Sequence, residues 1–220
     1  MKQYFVKIKI DSDTLFGSGE GLGASIDLDI LLDEIGLPYI SARRIKGLLR
    51  HSAEEVNDML KQSGLYQEIN VADIESIFGK AGQTESSNIF ISNCYLKDYI
   101  QSKEWLKFLK QEYPNSFSND TITSNFTSIR HQIQIEDGVT KDHSLRTFRV
   151  LKSGYDFEGT IEMDDNEQAV NLLALACLNL RNAGMMRNRG FGEITVKLFD
   201  SKGNDLCNQA LQTLEEACTN

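Results

Sequence analysis

The sequence predicts an α+β fold of the split βαβ, ferredoxin-like kind. Three observations carry that prediction. Residues 2–10 alternate, with Tyr4, Val6, Ile8 and Ile10 on one face, the period of a half-buried strand. Residues 41–62 place Ile45, Leu48, Leu49, Val56, Met59 and Leu60 on one helical stripe. With the insertions set aside, the elements run strand, helix, strand, strand, helix, strand. Many unrelated functions share this layout, so function must be read from residues.

Each element has its own signal. Ser41 stands before the first helix as its expected N-cap. Residues 11–40 are irregular, glycine-rich and acidic, and end in Gly36-Leu37-Pro38-Tyr39-Ile40. A short helix is expected over 71–78, stopped at Gly79. Residues 88–96 read as the second strand, with Ile89, Ile91 and Asn93 on one face. The segment carrying Trp105, Leu106 and Phe108 is expected to be helical. Residues 129–135 and 144–151 read as two strands around a turn at Glu136-Asp137-Gly138, a projecting hairpin. Residues 155–163 form the third strand, 165–182 an apolar helix that should be largely buried, and 192–199 the last strand. The tail, 200–220, is expected to form one more helix with Leu206, Ala210, Leu211 and Leu214.

At 220 residues and 40% hydrophobic content the chain can bury a proper core. Its net charge of −9 argues against a protein that coats nucleic acid nonspecifically. The charge is unevenly spread, however. Arg43, Arg44, Lys46 and Arg50 fall in one acid-free stretch, and Arg181, Arg187 and Arg189 in another. Acids collect at 27–34 and 156–167. A local basic groove on an acidic protein fits this pattern. Cys94, Cys177, Cys207 and Cys218 form no Cys-x-x-Cys pair, so neither a zinc site nor a disulfide framework is expected. The densest apolar run, 172–178, is too short to span a bilayer, and no apolar signal region opens the chain. A soluble, cytoplasmic protein without a membrane partner is expected.

Four motifs carry candidate chemistry. Gly184-Met185-Met186-Arg187-Asn188-Arg189-Gly190-Phe191-Gly192 sets two arginines among three glycines. Glycine allows close backbone approach, and arginine grips phosphate with a planar fork of donors. Arg43, Lys46, Gly47 and Arg50 share a helical face near a helix N-terminus, where phosphate binds readily. Gly47 costs about 1 kcal/mol against alanine, which suggests close approach by a ligand or a neighbouring chain. The alternative is a basic solvent face. Asp27, Asp29, Asp33 and Glu34 could bind a divalent metal or supply a general base. The alternative is a solvated acidic loop. Gly19-x-Gly21-x-x-Ala24 nearly fits a dinucleotide fingerprint, but no helix follows and no Walker lysine is present, so it reads as a flexible or binding loop. His51, His131 and His143 are not spaced as a metal or catalytic set.

Taken together, these segments resemble the RAMP superfamily of CRISPR proteins. The likeness begins with Ile26-Asp27-Leu28-Asp29, then Asp33, Gly36-Leu37-Pro38-Tyr39-Ile40-Ser41 and Ile45-Lys46-Gly47-Leu48-Leu49-Arg50. It continues through Ile77-Phe78-Gly79, and through Ile129-Arg130, Gly138 and Ser144-Leu145-Arg146, which are similar to the family's thumb hairpin. It closes on Arg187-Asn188-Arg189-Gly190-Phe191-Gly192, the family's glycine-rich loop. Ser41 stands where the family has proline, Arg43-Arg44 where it has small residues, and Asn93 where aspartate is common.

Within the superfamily the sequence is most similar to the backbone subunit of type III (Csm/Cmr-type, with a III-D-like trait) effector complexes. The resemblance implies one RAMP domain over 1–220. Its palm is 2–10, 41–62, 88–96 and 154–199, with an acidic loop insertion at 11–40 and a thumb insertion at about 97–153. It implies binding of CRISPR RNA (crRNA) and complementary target RNA, with other effector subunits, including copies or paralogues, as partners. Arg43, Arg44, Lys46, Arg50, Arg130, Arg146, Arg187, Arg189, Gly190 and Gly192 would contact RNA. Asp27, six positions before Asp33, would be the catalytic and metal-holding residue of a Mg2+-dependent endoribonuclease, with Asp29 its rival. A non-catalytic structural or capping subunit, and a stand-alone repeat-processing ribonuclease, are the other readings.

Overall fold

The structure, a computed structural model, describes residues 1–18, 26–65, 71–79, 88–136, 139–141 and 143–219. The chain opens with β1 (Lys2–Ile10), which buries Tyr4, Val6, Ile8 and Ile10 on one face. It then passes through isolated bridges to β2 (Tyr39–Ile40) and α1 (Ala42–Ser63). Next come α2 (Ile74–Phe78), β3 (Ile89–Ile91), β4 (Cys94–Leu96), α3 (Tyr99–Glu112) and α4 (Asn119–Phe126). A hairpin follows, built of β5 (Thr127–Gln132), β6 (Ile135–Glu136), β7 (Val139–Thr140) and β8 (Arg146–Leu151). β9 (Asp156–Met163), α5 (Glu167–Asn179), β10 (Ile194–Phe199) and α6 (Leu206–Thr219) complete the chain.

The main sheet is antiparallel in the order β10-β1-β9-β4-β2, with β3 also on β9. This is the ferredoxin-like order, and α1 and α5 pack against each other on one face. In α1 the buried series is Ile45, Leu49, Ala53, Val56 and Leu60, while Met59 is exposed. The expected stripe therefore holds except at its edge, where Ala53 rather than Met59 completes the 3.6-residue period. α5 is largely buried, as expected, through Leu172, Leu173, Leu175 and Cys177. It is shorter than its apolar run because Asn166 caps it, accepting a hydrogen bond from Gln168 N at 3.0 Å. α2 likewise starts at Ile74, where Asp73 Oδ2 accepts from Glu75 N and Ser76 N. α6 forms as expected and buries Cys207 and Ala210, with Leu211 left exposed. Among the described residues no helix is long and apolar enough to cross a membrane.

The second strand departs from expectation. It is two strands, not one. β3 pairs Ile89 with Met163 and Ile91 with Ile161, whereas β4 pairs Tyr95 with Glu158 and Leu96 with Phe157. One extra residue at Ser92-Asn93 makes a bulge, and the buried face switches from Ile89 to Cys94 and Leu96. The bulge re-aims Asn93. Its Oδ1 accepts from Ala42 N at 2.8 Å and so caps α1. Ser41 occupies the N-cap position but its side chain makes no capping bond.

The hairpin projects as a separate two-stranded unit, β5 against β8 from Thr127↔Leu151 to Gln132↔Arg146. Turn residues 137 and 138 lie outside the described residues, as does the 19–25 part of the glycine-rich loop. The far edge of β8 is lined by single bridges to Thr14 and Leu28.

The cap yields a test. Asn93→Ala should lower stability to urea by about 1 kcal/mol, and Ser41→Ala by much less. The opposite ranking would return the cap to Ser41.

Candidate functional site

Residues 13–17 form the floor of the site. Thr14 exchanges backbone hydrogen bonds with Leu151 of β8, at 2.9 and 2.8 Å. Leu15 O accepts from Met185 N at 3.0 Å, and Asp13 O from Gly192 N at 3.0 Å. Gly17 bridges to Ile30, and its carbonyl accepts from Arg44 Nη2. Hairpin, acidic loop, glycine-rich loop and α1 thus meet on one short run.

The acidic loop lies along β8. Asp27 N donates to Thr147 O at 2.8 Å, and Asp27 Oδ2 accepts from Thr147 N at 2.6 Å. Arg146 Nη1 stands 3.4 Å from Oδ1. The Thr147 amide first, and the Arg146 guanidinium after it, hold the Asp27 carboxyl below the usual carboxylate range. Its side chain is 40% exposed. The other acids are committed elsewhere. Asp29 is buried, and its Oδ1 accepts from Arg149 Nε at 3.0 Å and Ile30 N at 2.7 Å. Asp33 Oδ1 accepts from Ile35 N and Leu37 N, both at 2.9 Å, and its Oδ2 from Tyr99 OH at 2.8 Å. Glu34 pairs with Lys103 at 2.7 Å, which with Lys107 draws its carboxyl down to about 2. Asp33 therefore shapes the turn before Pro38, and Asp27 and Asp33 do not act on one ligand.

The basic residues divide into tied and free. Arg50 bonds Glu54 Oε1 at 3.0 Å and Gly79 O at 3.1 Å, joining α1 to the end of α2. Arg130 pairs with Asp13 at 2.6 Å across the hairpin base. Lys46 is half-buried, and burial, with Arg50 nearby, lowers its pKa. Arg43, Arg187 and Arg189 are exposed and make no ion pair among the described residues. Gly47 is open, with nothing within 4 Å of the place a Cβ would take.

The glycine-rich loop contains a 3₁₀ turn, Arg187–Arg189, that sends its arginines to different clefts. Arg189 joins Ile133, Ile135, Lys141, His143 and Arg146 around a cleft of about 660 Å³ at the hairpin, with no acid lining it among the described residues. Arg187 joins Arg181, His51 and Glu55 in a cleft of about 230 Å³ between α1 and the end of α5. Gly192, at φ 86°, passes so close to the chain that a Cβ would lie 2.2 Å from Ala183 O, and one at Gly184 would lie 2.6 Å from Leu15 O. These two glycines serve backbone-to-backbone packing, whereas Gly190 is open to approach. Phe191 packs edge-on against Phe148 of β8, centroids 6.1 Å apart.

Sequence reading passed over Lys141, Thr147 and Arg149. Arg149 carried a usable signal: a charge inside the apolar run Phe148, Val150, Leu151 needs a buried partner. Thr147 acts through its backbone and leaves no trace in composition. Of the histidines, His51 sits beside Glu54 and Glu55, and His131 Nδ1 is 3.1 Å from Thr147 Oγ1.

A divalent cation finds few ligands here. Among the described residues no three His, Cys, Asp or Glu side chains converge. Asp27 Oδ1 faces Arg146 Nη1 at 3.4 Å while Oδ2 takes the Thr147 amide, which fits only the sparse Mg2+ mode of one carboxylate completed by substrate phosphates.

A family model of the RAMP superfamily matches residues 7–195. No curated protein sequence matches the chain significantly. A chain in the cryo-EM structure of type III-B Cmr-β bound to cognate target RNA superposes with a TM-score of 0.62 at 13% identity, covering 90% of this chain and 97% of that one. A chain in the apo state of type III-B Cmr-β gives 0.61 at 14% identity with the same coverage. At such identities the likeness is one of fold.

The carboxylate geometry sets a titration order. Arg146→Gln should raise the Asp27 pKa, yet leave it below the ordinary range, because the Thr147 amide bond remains. A carbon-detected NMR titration of the Asp27 carboxyl reads this directly, and an unchanged pKa would remove Arg146 from the account. Because the folded pKa is depressed, the tie contributes at neutral pH and is lost only as pH falls through that lowered value.

Proposed function

The chain belongs to the RAMP superfamily, and from that membership we propose that it is a crRNA-binding backbone subunit of a type III CRISPR effector complex. Its partners are the crRNA, a complementary target RNA and other effector subunits, including copies or paralogues of itself. One observation carries the reading. Asp27 is an exposed carboxylate fastened to β8 of a projecting hairpin, beside a cleft lined by Lys141, Arg146 and Arg189. The fold likeness to chains of Cmr-β, one of them from the complex bound to cognate target RNA, supports it.

Guide phosphates pair with Arg43 at the start of α1 and with Arg187 and Arg189 of the glycine-rich loop, while Arg44, Lys46 and Arg50 add positive potential behind them. Gly190 lets the backbone approach the RNA. Arg130 and Arg146 brace the hairpin base, and the exposed Ile133, Ile135 and Val139 give the hairpin an apolar edge that can wedge between bases. Contacts of this kind read backbone and shape, and base pairing reads sequence.

Asp27 is the residue assigned to target cleavage. With its pKa depressed it is ionised at neutral pH and accepts a proton weakly, so it serves as fixed negative charge rather than as general base. Asp27 and RNA phosphates would hold the Mg2+, which supplies charge neutralisation at the scissile phosphate. The Thr147 amide orients the carboxylate, and the arginines of the cleft hold the flanking phosphates. A second reading, binding without cleavage, is favoured by Arg146, which already balances the Asp27 charge at 3.4 Å.

In the reconstituted complex, Asp27→Ala should cut target RNA opposite this subunit about 100- to 1,000-fold more slowly, with RNA binding intact. Undiminished cutting removes Asp27 from the chemistry, and a wild type that does not cut there establishes the binding-only reading. Arg43→Gln or Arg187→Gln should weaken binding equally across RNA sequences. Each should reduce the slope of log affinity against log salt by about 0.7–0.9, as expected for one lost phosphate contact. A slope that does not change would take that arginine off the RNA path.

A further inference from the structure

We infer that Asp29 and Arg149 are a positioning pair whose task is to lock the register between the acidic loop and the hairpin, and so to place Asp27. The inference rests on the reading of Asp27 as the acting carboxylate. Asp29 itself, at 4% exposure, does not reach an RNA surface.

The two segments run side by side in parallel, with Leu28 bridged to Phe148. Asp27 lies against Thr147, and two residues on, Asp29 lies against Arg149. Arg149 N also donates to Leu28 O at 3.0 Å, so the two pairings belong to one ladder. Asp29 fastens three segments. Its Oδ1 takes Arg149 Nε from the hairpin and Ile30 N from the loop, and its carbonyl takes Ser18 N at 2.6 Å.

A ladder this short has little register preference of its own. A one-residue slip reverses which side chains face inward. Here a slip would set Asp29 beside Phe148 or Val150 and strand two buried charges, because the Arg149 side chain is only 14% exposed. The same slip would part Asp27 Oδ2 from the Thr147 amide. Asp29 Oδ2 is buried without a hydrogen-bond partner among the described residues, so the carboxylate is not placed to satisfy its full bonding capacity. What the pair provides is discrimination between registers, the best-attested use of a buried charge pair.

Native-state amide exchange on the full chain tests this without requiring cleavage. In Asp29→Asn and in Arg149→Met, the Asp27 and Thr147 amides should exchange about tenfold faster or more, while those of β1 and β9 keep their protection. The double variant should be no worse than the worse single one, and Arg149→Lys should restore part of the protection. Unchanged exchange at Asp27 and Thr147 overturns the inference. So does an equal loss across β1 and β9, which would mark general support of the fold. In the assembled complex, Asp29→Asn should lower kcat for target RNA with KM unchanged. If Asp27→Ala leaves cutting intact, the reading of Asp27 falls by itself, and the exchange result still decides the register lock.

Discussion

The site depends on a buried run that belongs to no regular element, residues 13–17. Thr14 and Leu15 are wholly buried, and Phe16 nearly so. Backbone N–H and C=O groups at that depth must be paired. No helix or sheet of their own is available, so the partners come from four other segments. Leu151 of the hairpin pairs with Thr14, Met185 of the glycine-rich loop with Leu15, Ile30 of the acidic loop with Gly17, and Arg44 of α1 with the Gly17 carbonyl. The need to satisfy a few buried peptide groups thus fixes how every candidate functional segment stands relative to the others. The glycines at 184 and 192 are the counterpart of that need, because side chains there would collide with Leu15 O and Ala183 O.

This explains what was legible in the sequence and what was not. Elements with a period were legible. The alternation of β1, the stripe of α1 and the apolar run of α5 each follow from burying one face, and each formed within a few residues of expectation. The run at 13–17 has no period, because its pairings are single bridges to different neighbours. The α1 cap was misread for a related reason. Ser41 has the right type in the right place, but a bulge brings Asn93, 51 residues away in sequence, to the helix end first. The glycine-rich loop was legible as special, though for the wrong atoms in part: two of its glycines admit the protein's own backbone. Arg187 and Arg189, adjacent but one in sequence, part into different clefts because a 3₁₀ turn separates them.

The charge distribution also resolves once partners are counted. The loop is acidic in sequence, yet most of its acids are occupied. Asp29 is paired with Arg149, Asp33 with Tyr99 and nearby backbone, and Glu34 with Lys103 and Lys107. Asp13 is likewise paired with Arg130. Among the described residues no acid lines the hairpin cleft, and Glu136 pairs with its Lys141 at 3.1 Å. A chain of net charge −9 can therefore still present a positive groove, because its negative charge is spent internally or placed on other surfaces.

One consequence concerns where the position of Asp27 is decided. Both of its short backbone-mediated bonds go to Thr147, 120 residues away, and its loop meets the same strand through Leu28 and Asp29. The carboxylate is therefore referenced to β8 rather than to the palm sheet. β8 in turn is anchored to the palm side by Thr14, by the Phe148–Phe191 contact and by Phe148, Val150 and Leu151, which are buried in the main core. The strand that holds the carboxylate is therefore itself fixed by the core of the fold. A ligand that grips the hairpin cleft and the glycine-rich loop together would hold β8 from both sides, and the same grip would fix the carboxylate.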